Sequence, residues 1–267
     1  MSGALYLDLD GTLLGRGASL FHDGEGAISL LGPRAIEACL RADVEVVLVS
    51  GRRRAQVAEA ARLFGQSAFI FEAGCVLELD GEQLWMTELV AGEHTVHEQI
   101  ERSGAPALLL EHYAGRLEYH APWHLDREIS HLFRGEVDAT EVDALLAERG
   151  HGNLRLVDNG GVHAPADARG MRVYHLIPAG GSKTAAVARH MRARGLRRED
   201  TFAAGDSRED LAVAGVVGTF WLVANALERD PTMREDLPAA NANVRVTEAA
   251  YGAGVYEAVV TTLAERR

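Results

Sequence analysis

Asp8 and Asp10 stand one residue apart at the end of an apolar run, Ala4-Leu5-Tyr6-Leu7-Asp8-Leu9-Asp10-Gly11-Thr12. Residues i and i+2 of a strand face the same side, so both carboxylates should project together where the strand ends. Two like charges at ~4 Å repel by about 4 kcal/mol at an effective dielectric near 20. A cation between them, or a proton held on one, removes the conflict, and either outcome is chemistry. Asp10-Gly11 alone would account for a turn, but not for the second carboxylate. A second signal is compositional. Of 27 basic residues only Lys183 is a lysine, which marks a position where a compact ammonium does what a planar guanidinium does not.

The elements that must carry these residues alternate. Ala4–Leu9 reads as a strand, and a polar, Gly-rich stretch leads to a helix from Pro33 to about Asp43. The β-branched run Val44–Val49 ends at Ser50-Gly51-Arg52. A helix over Arg53–Phe64 and a strand Ala68–Phe71 follow. This is the βαβ rhythm of a buried parallel sheet. From residue 75 the pattern changes to hairpins. Cys75–Leu79 and Glu82–Met86 flank Asp80-Gly81, and Leu108–Glu111 should pair with Leu117–His120 across Ala114-Gly115. A helix around Glu93–Ser103 intervenes, and another over Thr140–Arg149 opens with the capping-box-like Thr140-x-x-Asp143. Leu154–Val157 meets another hairpin signal at Asn159-Gly160. The βα rhythm returns after Ile177-Pro178. Ser182 caps a helix ending at Gly195, Thr201–Ala204 closes on Gly205-Asp206-Ser207, and strands at Thr219–Val223 and Val244–Thr247 precede a helix from about Gly254. The expected fold class is α/β: a Rossmann-like parallel sheet core, 1–80 plus 178–267, with an inserted smaller α+β cap domain, 81–177.

Ligands of open α/β sheets bind at the carboxyl ends of strands. Four such ends carry polar chemistry: Asp8 and Asp10, Ser50, Gly180-Gly181-Ser182-Lys183, and Asp206 with Asp210. Each has an ordinary alternative as a turn, a helix cap or a solvated charge. Their order and placement make a set. On these residues the chain resembles the haloacid-dehalogenase-like (HAD) phosphohydrolase superfamily, whose four motifs are met by Asp8-Leu9-Asp10-Gly11-Thr12, Ser50, Lys183 and Gly205-Asp206-Ser207-Arg208-Glu209-Asp210. The insert falls between the second and third motifs. That matches the branch with a large α/β cap that includes sucrose-, trehalose- and mannosylglycerate-type phosphatases.

The resemblance implies a magnesium-dependent phosphatase acting on a small phosphorylated metabolite, a sugar phosphate first, through an aspartyl-phosphate. Asp8 would be the nucleophile and Asp10 the general acid and base. Asp8, the Asp10 backbone carbonyl, Asp206 and Asp210 would hold Mg2+. Ser50, Gly51 and Arg52 would bind the phosphoryl group, and Lys183 would neutralise nucleophile and phosphate. Two departures stand out. Glu209 occupies a position where relatives carry Asn, and Ala73-Gly74 replaces Asn-Gly after the third strand. A phosphomutase on the same motifs and a phospho-acceptor sensor domain are the competing readings; Asp10 and the large insert argue against the sensor.

A net charge of −12 argues against nucleic acid or an anionic membrane as the main partner. Met1-Ser2-Gly3 leads into a strand with no basic n-region, and no apolar run approaches a membrane span. A cytoplasmic monomer or homodimer is the expectation, with Cys39 and Cys75 as reduced, buried thiols. The insert is acidic and holds most of the histidines. His94/His97 and His120/His124 have ligand-like spacing, but without a nearby cysteine they read as solvated or core residues. Arg116, Arg155 and Arg172 are candidates to meet a second anionic group of the substrate, while the Arg52–Arg54 run otherwise reads as helix surface.

Overall fold

The structure is a computed structural model that describes residues 3–161, 171–237 and 242–266; Met1, Ser2 and part of the expected insert lie outside them. The first segment builds β1 (Gly3–Leu7), α1 (Leu31–Arg41), β2 (Val44–Val49), α2 (Arg54–Leu63), β3 (Ala68–Phe71), β4 (Val76–Leu79) and β5 (Glu82–Trp85). The insert adds α3 (Val96–Ser103), α4 (Ala105–His112), β6 (Leu117–Tyr119), β7 (His131–Gly135), α5 (Ala139–Glu148), β8 (Leu154–Gly161) and β9 (Arg172–Pro178). The last segment supplies α6 (Lys183–Arg194), β10 (Thr201–Gly205), α7 (Arg208–Leu211), β11 (Thr219–Leu222), α8 (Ala224–Arg229), α9 (Met233–Asp236), β12 (Val244–Val246) and α10 (Tyr251–Glu265).

Among the described residues the large sheet runs β12-β11-β10-β1-β2-β3-β4-β5. It is parallel from β12 to β3 and closes with the antiparallel β4–β5 hairpin. β1 is buried throughout, and its alternation splits the core into two layers. Leu5, Leu7 and Leu9 join the layer of Ile36, Cys39, Val255 and Val259, contributed by α1 and α10. Ala4 and Tyr6 join Ala186, Val187 and Met191 of α6 on the opposite face. The first apolar layer continues into the insert through Val96, Ile100, Leu109, Phe133, Leu146 and Tyr174. Chain order leaves β1 for β2 on one side while β10 arrives on the other, so the strand order reverses between β1 and β10. Crevices of open α/β sheets form at such switch points.

Several local expectations change. Leu108–Glu111 is helical, not a strand. Pro106 sits in the first turn of α4, Gly104 takes a left-handed φ of 81° between α3 and α4, and Leu109 is buried. The partner of β6 is instead β7, a strand hidden by the polar residues around it. α5 is capped by Asp138, which accepts from the Thr140 and Glu141 amides, while Asp143 accepts from Leu156 N at 2.7 Å. β8 runs through Asn159-Gly160, where its register with β9 shifts between Asp158 and Gly161; the connection that follows lies outside the described residues. β5 pairs with β4 in the large sheet, so the boundary expected at 81 falls inside a hairpin of the core. α1 begins at Leu31, with Pro33 third in its first turn, where no intrahelical donor is missed. Cys39 and Cys75 are free and buried. No helix among the described residues is long and apolar enough to cross a membrane.

Candidate active site

Asp8 follows β1 directly, and its amide bonds to Ala204 O of β10 at 3.1 Å. That bond fixes the carboxylate between two buried parallel strands. Lys183 is the first residue of α6, whose N-cap Ser182 accepts from Ala185 N at 3.0 Å. Its side chain is 1% exposed, and Nζ donates to Asp8 Oδ1 at 3.1 Å and to Asp210 Oδ1 at 2.6 Å. The other oxygen of Asp210 closes a capping box on α7, accepting from the Ser207 hydroxyl at 2.6 Å and the Ser207 amide at 3.1 Å. Asp206, at the carboxyl end of β10, accepts from Thr12 Oγ1 at 3.3 Å and pairs with Arg229 of α8. Gly11 makes room for this. With φ +86°, a Cβ there would lie 2.2 Å from Asp206 Oδ2 and 2.7 Å from Arg229 Nη1.

Oxygens of Asp8, Asp206 and Asp210 lie within 4.8 Å of one another. Burial holds Asp8 well above the usual carboxylate range, reinforced by Asp210, Asp206 and Asp10 against the opposing Lys183. Burial likewise pushes Asp206 up to about 6, with Arg229 opposing and Asp210 adding to the rise. Desolvation works against the Lys183 ammonium, but Asp210 and Asp8 outweigh it and hold the group charged far above an ordinary lysine. Three buried carboxylates facing one another with a lysine on one side suit a hard divalent cation, which prefers oxygen ligands. The donor set therefore fits magnesium.

Ser50, buried just past β2, is held by its amide to Ile70 O at 3.0 Å, and its hydroxyl accepts from Arg52 N at 3.2 Å. The β1–β2 register pairs Leu7 with Leu48, which sets Ser50 level with Leu9 at the same sheet edge. Arg52 grips Asp10 through two bonds, 2.6 Å from Nε and 2.5 Å from Nη2. The side chain of Asp10 thus turns to a guanidinium rather than to the group of Asp8, Asp206 and Asp210. Gly74 lets the third strand end close to the lysine loop: a Cβ on it would fall 2.3 Å from Lys183 N. Glu72 and Ala73 before it both take left-handed φ angles, 46° and 58°.

Sequence reasoning missed Arg229, which also donates to Gly161 O of the insert at 3.0 Å, and the buried Asn225, which donates to Gly11 O at 2.8 Å. It also missed the buried Glu72. Nothing in their local sequence distinguishes them, because α8 and the β3 end meet the site only through tertiary packing. Of the anion candidates, Arg116 donates to Glu136 O and lies over the Tyr113 ring. Arg172 pairs with Asp158 and Asp230. Arg155 donates to Gly181 O at 2.9 Å and to Glu209 at 3.0 Å. Arg54 pairs with Glu78, and Arg53 with Asp126 of the insert. His97 stacks on His131 rather than forming a metal group with His94.

No protein-family model matches the chain. A phosphoglycolate phosphatase of Halorubrum lacusprofundi is 27% identical over 223 residues, covering 83% of this chain and 84% of its own. The sucrose-phosphatase of a Synechocystis species, solved with sucrose and phosphate, superposes with a TM-score of 0.69 at 14% identity over 98% of both chains. A HAD subclass IIB sugar phosphatase gives 0.61 at 15% identity, covering 99% of this chain and 98% of that one. The resemblance carried by the four motifs is borne out in three dimensions: the chain has the fold of the haloacid-dehalogenase-like hydrolases, parallel core and inserted cap together.

Proposed function

We propose that this chain is a magnesium-dependent phosphatase that hydrolyses a small phosphorylated metabolite, a sugar phosphate first, through an aspartyl-phosphate on Asp8. The observation that carries the reading is the meeting of Asp8, Asp206 and Asp210 around Lys183 at the strand-order reversal. Asp8, Asp206 and Asp210, with the Asp10 carbonyl, would hold the ion. Magnesium, when bound, supplies charge neutralisation for the nucleophile and the phosphoryl oxygens.

Asp8 attacks phosphorus, and the bond from phosphorus to the leaving oxygen breaks as Asp10 gives that oxygen its proton. Water then attacks the phospho-aspartate while Asp10 takes its proton, which restores Asp8 and releases inorganic phosphate. Phosphoryl transfer depends mainly on positioning and charge stabilisation. The Ser50 hydroxyl and the Gly51 amide serve the phosphoryl oxygens. The incoming dianion competes with Asp10 for the Arg52 guanidinium, and its capture of Arg52 leaves Asp10 free to hold a proton. The insert acts as the cap that selects the leaving group, and the protein works in the cytoplasm as a monomer or homodimer.

The test is phosphate release from a panel of sugar phosphates and phosphoglycolate, with magnesium and with EDTA. Release should require the metal, and Asp8→Asn should abolish it while the far-ultraviolet circular dichroism stays unchanged. Full turnover in Asp8→Asn excludes the nucleophile assignment. Isomerised sugar phosphate without released phosphate would identify a mutase instead.

A further inference from the structure

His175 of β9 is buried and carries its imidazole into a polar network. Its Nδ1 lies 3.2 Å from Ser130 Oγ. That hydroxyl sits 2.6 Å from Glu72 Oε2 and receives Arg127 Nη1 at 2.9 Å. Glu72 also accepts from the amides of Glu128 at 3.0 Å and Ser130 at 2.7 Å. The proton positions follow from counting donors. Glu72 is surrounded by donors, so it takes the only hydroxyl proton of Ser130. Arg127 can only donate. The remaining contact of Ser130 Oγ must therefore be accepted from Nδ1–H of His175, which leaves the lone pair on Nε2. Burial, together with Arg127 and Lys183, holds the ring well below ordinary histidine and hence neutral.

Nε2 has no hydrogen-bond partner among the described residues, and it faces the phosphate loop. A Cβ built on Gly51 would lie 2.7 Å from Nε2 and 3.4 Å from Nδ2 of Asn159 on β8. Arg127 ties the same network to that loop, donating to Gly51 O at 3.1 Å. The core residue Glu72 thus fixes, through Ser130, which nitrogen of a cap histidine is bare directly above Ser50-Gly51-Arg52.

We propose that His175 is a specificity-determining residue whose bare Nε2 accepts a hydrogen bond from a hydroxyl of the leaving group, next to the ester oxygen. The inference rests on the phosphatase reading and narrows its substrate class to polyol or sugar phosphates. A fixed acceptor offers nothing to a leaving group without a hydroxyl, and a site built to pair a hydroxyl discriminates against analogues that lack it.

The experiment compares kcat/KM for glycerol 3-phosphate and 1-propyl phosphate, which differ in their hydroxyls, with magnesium present. Wild type should favour glycerol 3-phosphate by tenfold or more, mostly through KM. His175→Phe should collapse that ratio towards one. Ser130→Ala, which removes the group that fixes the tautomer, should lower it severalfold and keeps the test alive if His175→Phe does not fold. A wild-type ratio near one, or a ratio unchanged in either folded variant, overturns the proposal. Should wild type release phosphate from neither ester nor from p-nitrophenyl phosphate, the phosphatase reading fails first and takes this inference with it. Release from p-nitrophenyl phosphate without the hydroxyl preference sinks this inference alone.

Discussion

Replacing Lys183 with methionine removes the one cation buried between Asp8 and Asp210 and keeps the length of the side chain. The ammonium lies 3.1 Å from one carboxylate and 2.6 Å from the other, with all three side chains less than a tenth exposed. Removing one partner of a buried charge pair costs about 3–5 kcal/mol, because the remaining charge is left uncompensated in a poorly solvating interior. At roughly 2–4 °C per kcal/mol for a domain of this size, Tm in EDTA at pH 8 should fall by roughly 10 °C. The deficit must also depend on pH in a fixed direction. Asp8 already titrates high through burial and its acidic neighbours, and losing Lys183 raises it further. A carboxyl whose folded pKa is raised stabilises the fold below its unfolded pKa and loses that contribution as pH rises through the folded pKa. The gap between wild type and Lys183→Met should therefore be small near pH 5 and widest near pH 8, and magnesium at pH 8 should narrow it. Thermal melts across that range decide the matter. A deficit that is absent, or constant from pH 5 to pH 8, refutes the electrostatic account of the site.

Lys183→Arg should lower kcat by a hundredfold or more, since a planar guanidinium cannot occupy the point between two carboxylates; a wild-type rate would make the lone lysine incidental. Gly11→Ala forces a methyl group to 2.2 Å from Asp206 Oδ2 at a φ of +86°. Magnesium affinity by calorimetry should drop at least tenfold, and unchanged affinity would remove Asp206 from the ion site. Asp206→Asn should raise Tm of the metal-free protein at pH 8, because the wild-type carboxyl, pushed up to about 6, is held ionised there at a cost of up to about 3 kcal/mol. That gain should fade as pH falls through about 6 towards 4, where the wild-type group is protonated in the folded state and close to half protonated in the unfolded chain; a gain larger at pH 4 than at pH 8 contradicts the sign.

The parts of this molecule that were legible in its sequence are those whose signals are local. The run Ala4–Leu7 reads as a buried strand because its residues are apolar on both faces, and the structure buries all of β1. Ser182 and Gly195 bracket α6 because a hydroxyl cap and a left-handed glycine act within one turn of the helix. Leu108–Glu111 misled for the opposite reason. A short leucine run satisfies strand and helix patterns alike, and Pro106 within the first turn decides for the helix. β7 was hidden because His131, Arg134 and Gly135 break its alternation, while pairing with β6 on one side and β9 on the other supplies the stability its composition lacks. At the site, the carboxylates and the lysine announced themselves by type and spacing. Arg229, Glu72 and His175 did not, since each acts through a partner more than 20 residues away in the chain.

Glu209 shows how the cap and the charge balance meet. A fourth carboxylate beside Asp206 and Asp210 would worsen the repulsion there, yet its side chain pairs with Arg155 of the cap at 3.0 Å. Arg155 also donates through Nε and Nη2 to Gly181 O, two residues before Lys183. One guanidinium therefore neutralises Glu209 and braces the loop that aims the lysine. Arg229 does the same on the other side, holding Asp206 while donating to Gly161 O of the cap. With Arg155 set against Glu209 and Arg229 against Asp206, the buried Asp8 and Asp210 share the single charge of Lys183, leaving one negative charge uncompensated. A phosphate dianion adds two more. Protein cations alone do not balance that sum, and a divalent ion leaves only one excess charge for the Ser50 hydroxyl, the loop amides and Arg52 to absorb. The insert thus supplies two of the contacts that set this balance, Arg155 to Glu209 and Gly181 and the Gly161 carbonyl to Arg229, and it braces the lysine loop and Asp206 together.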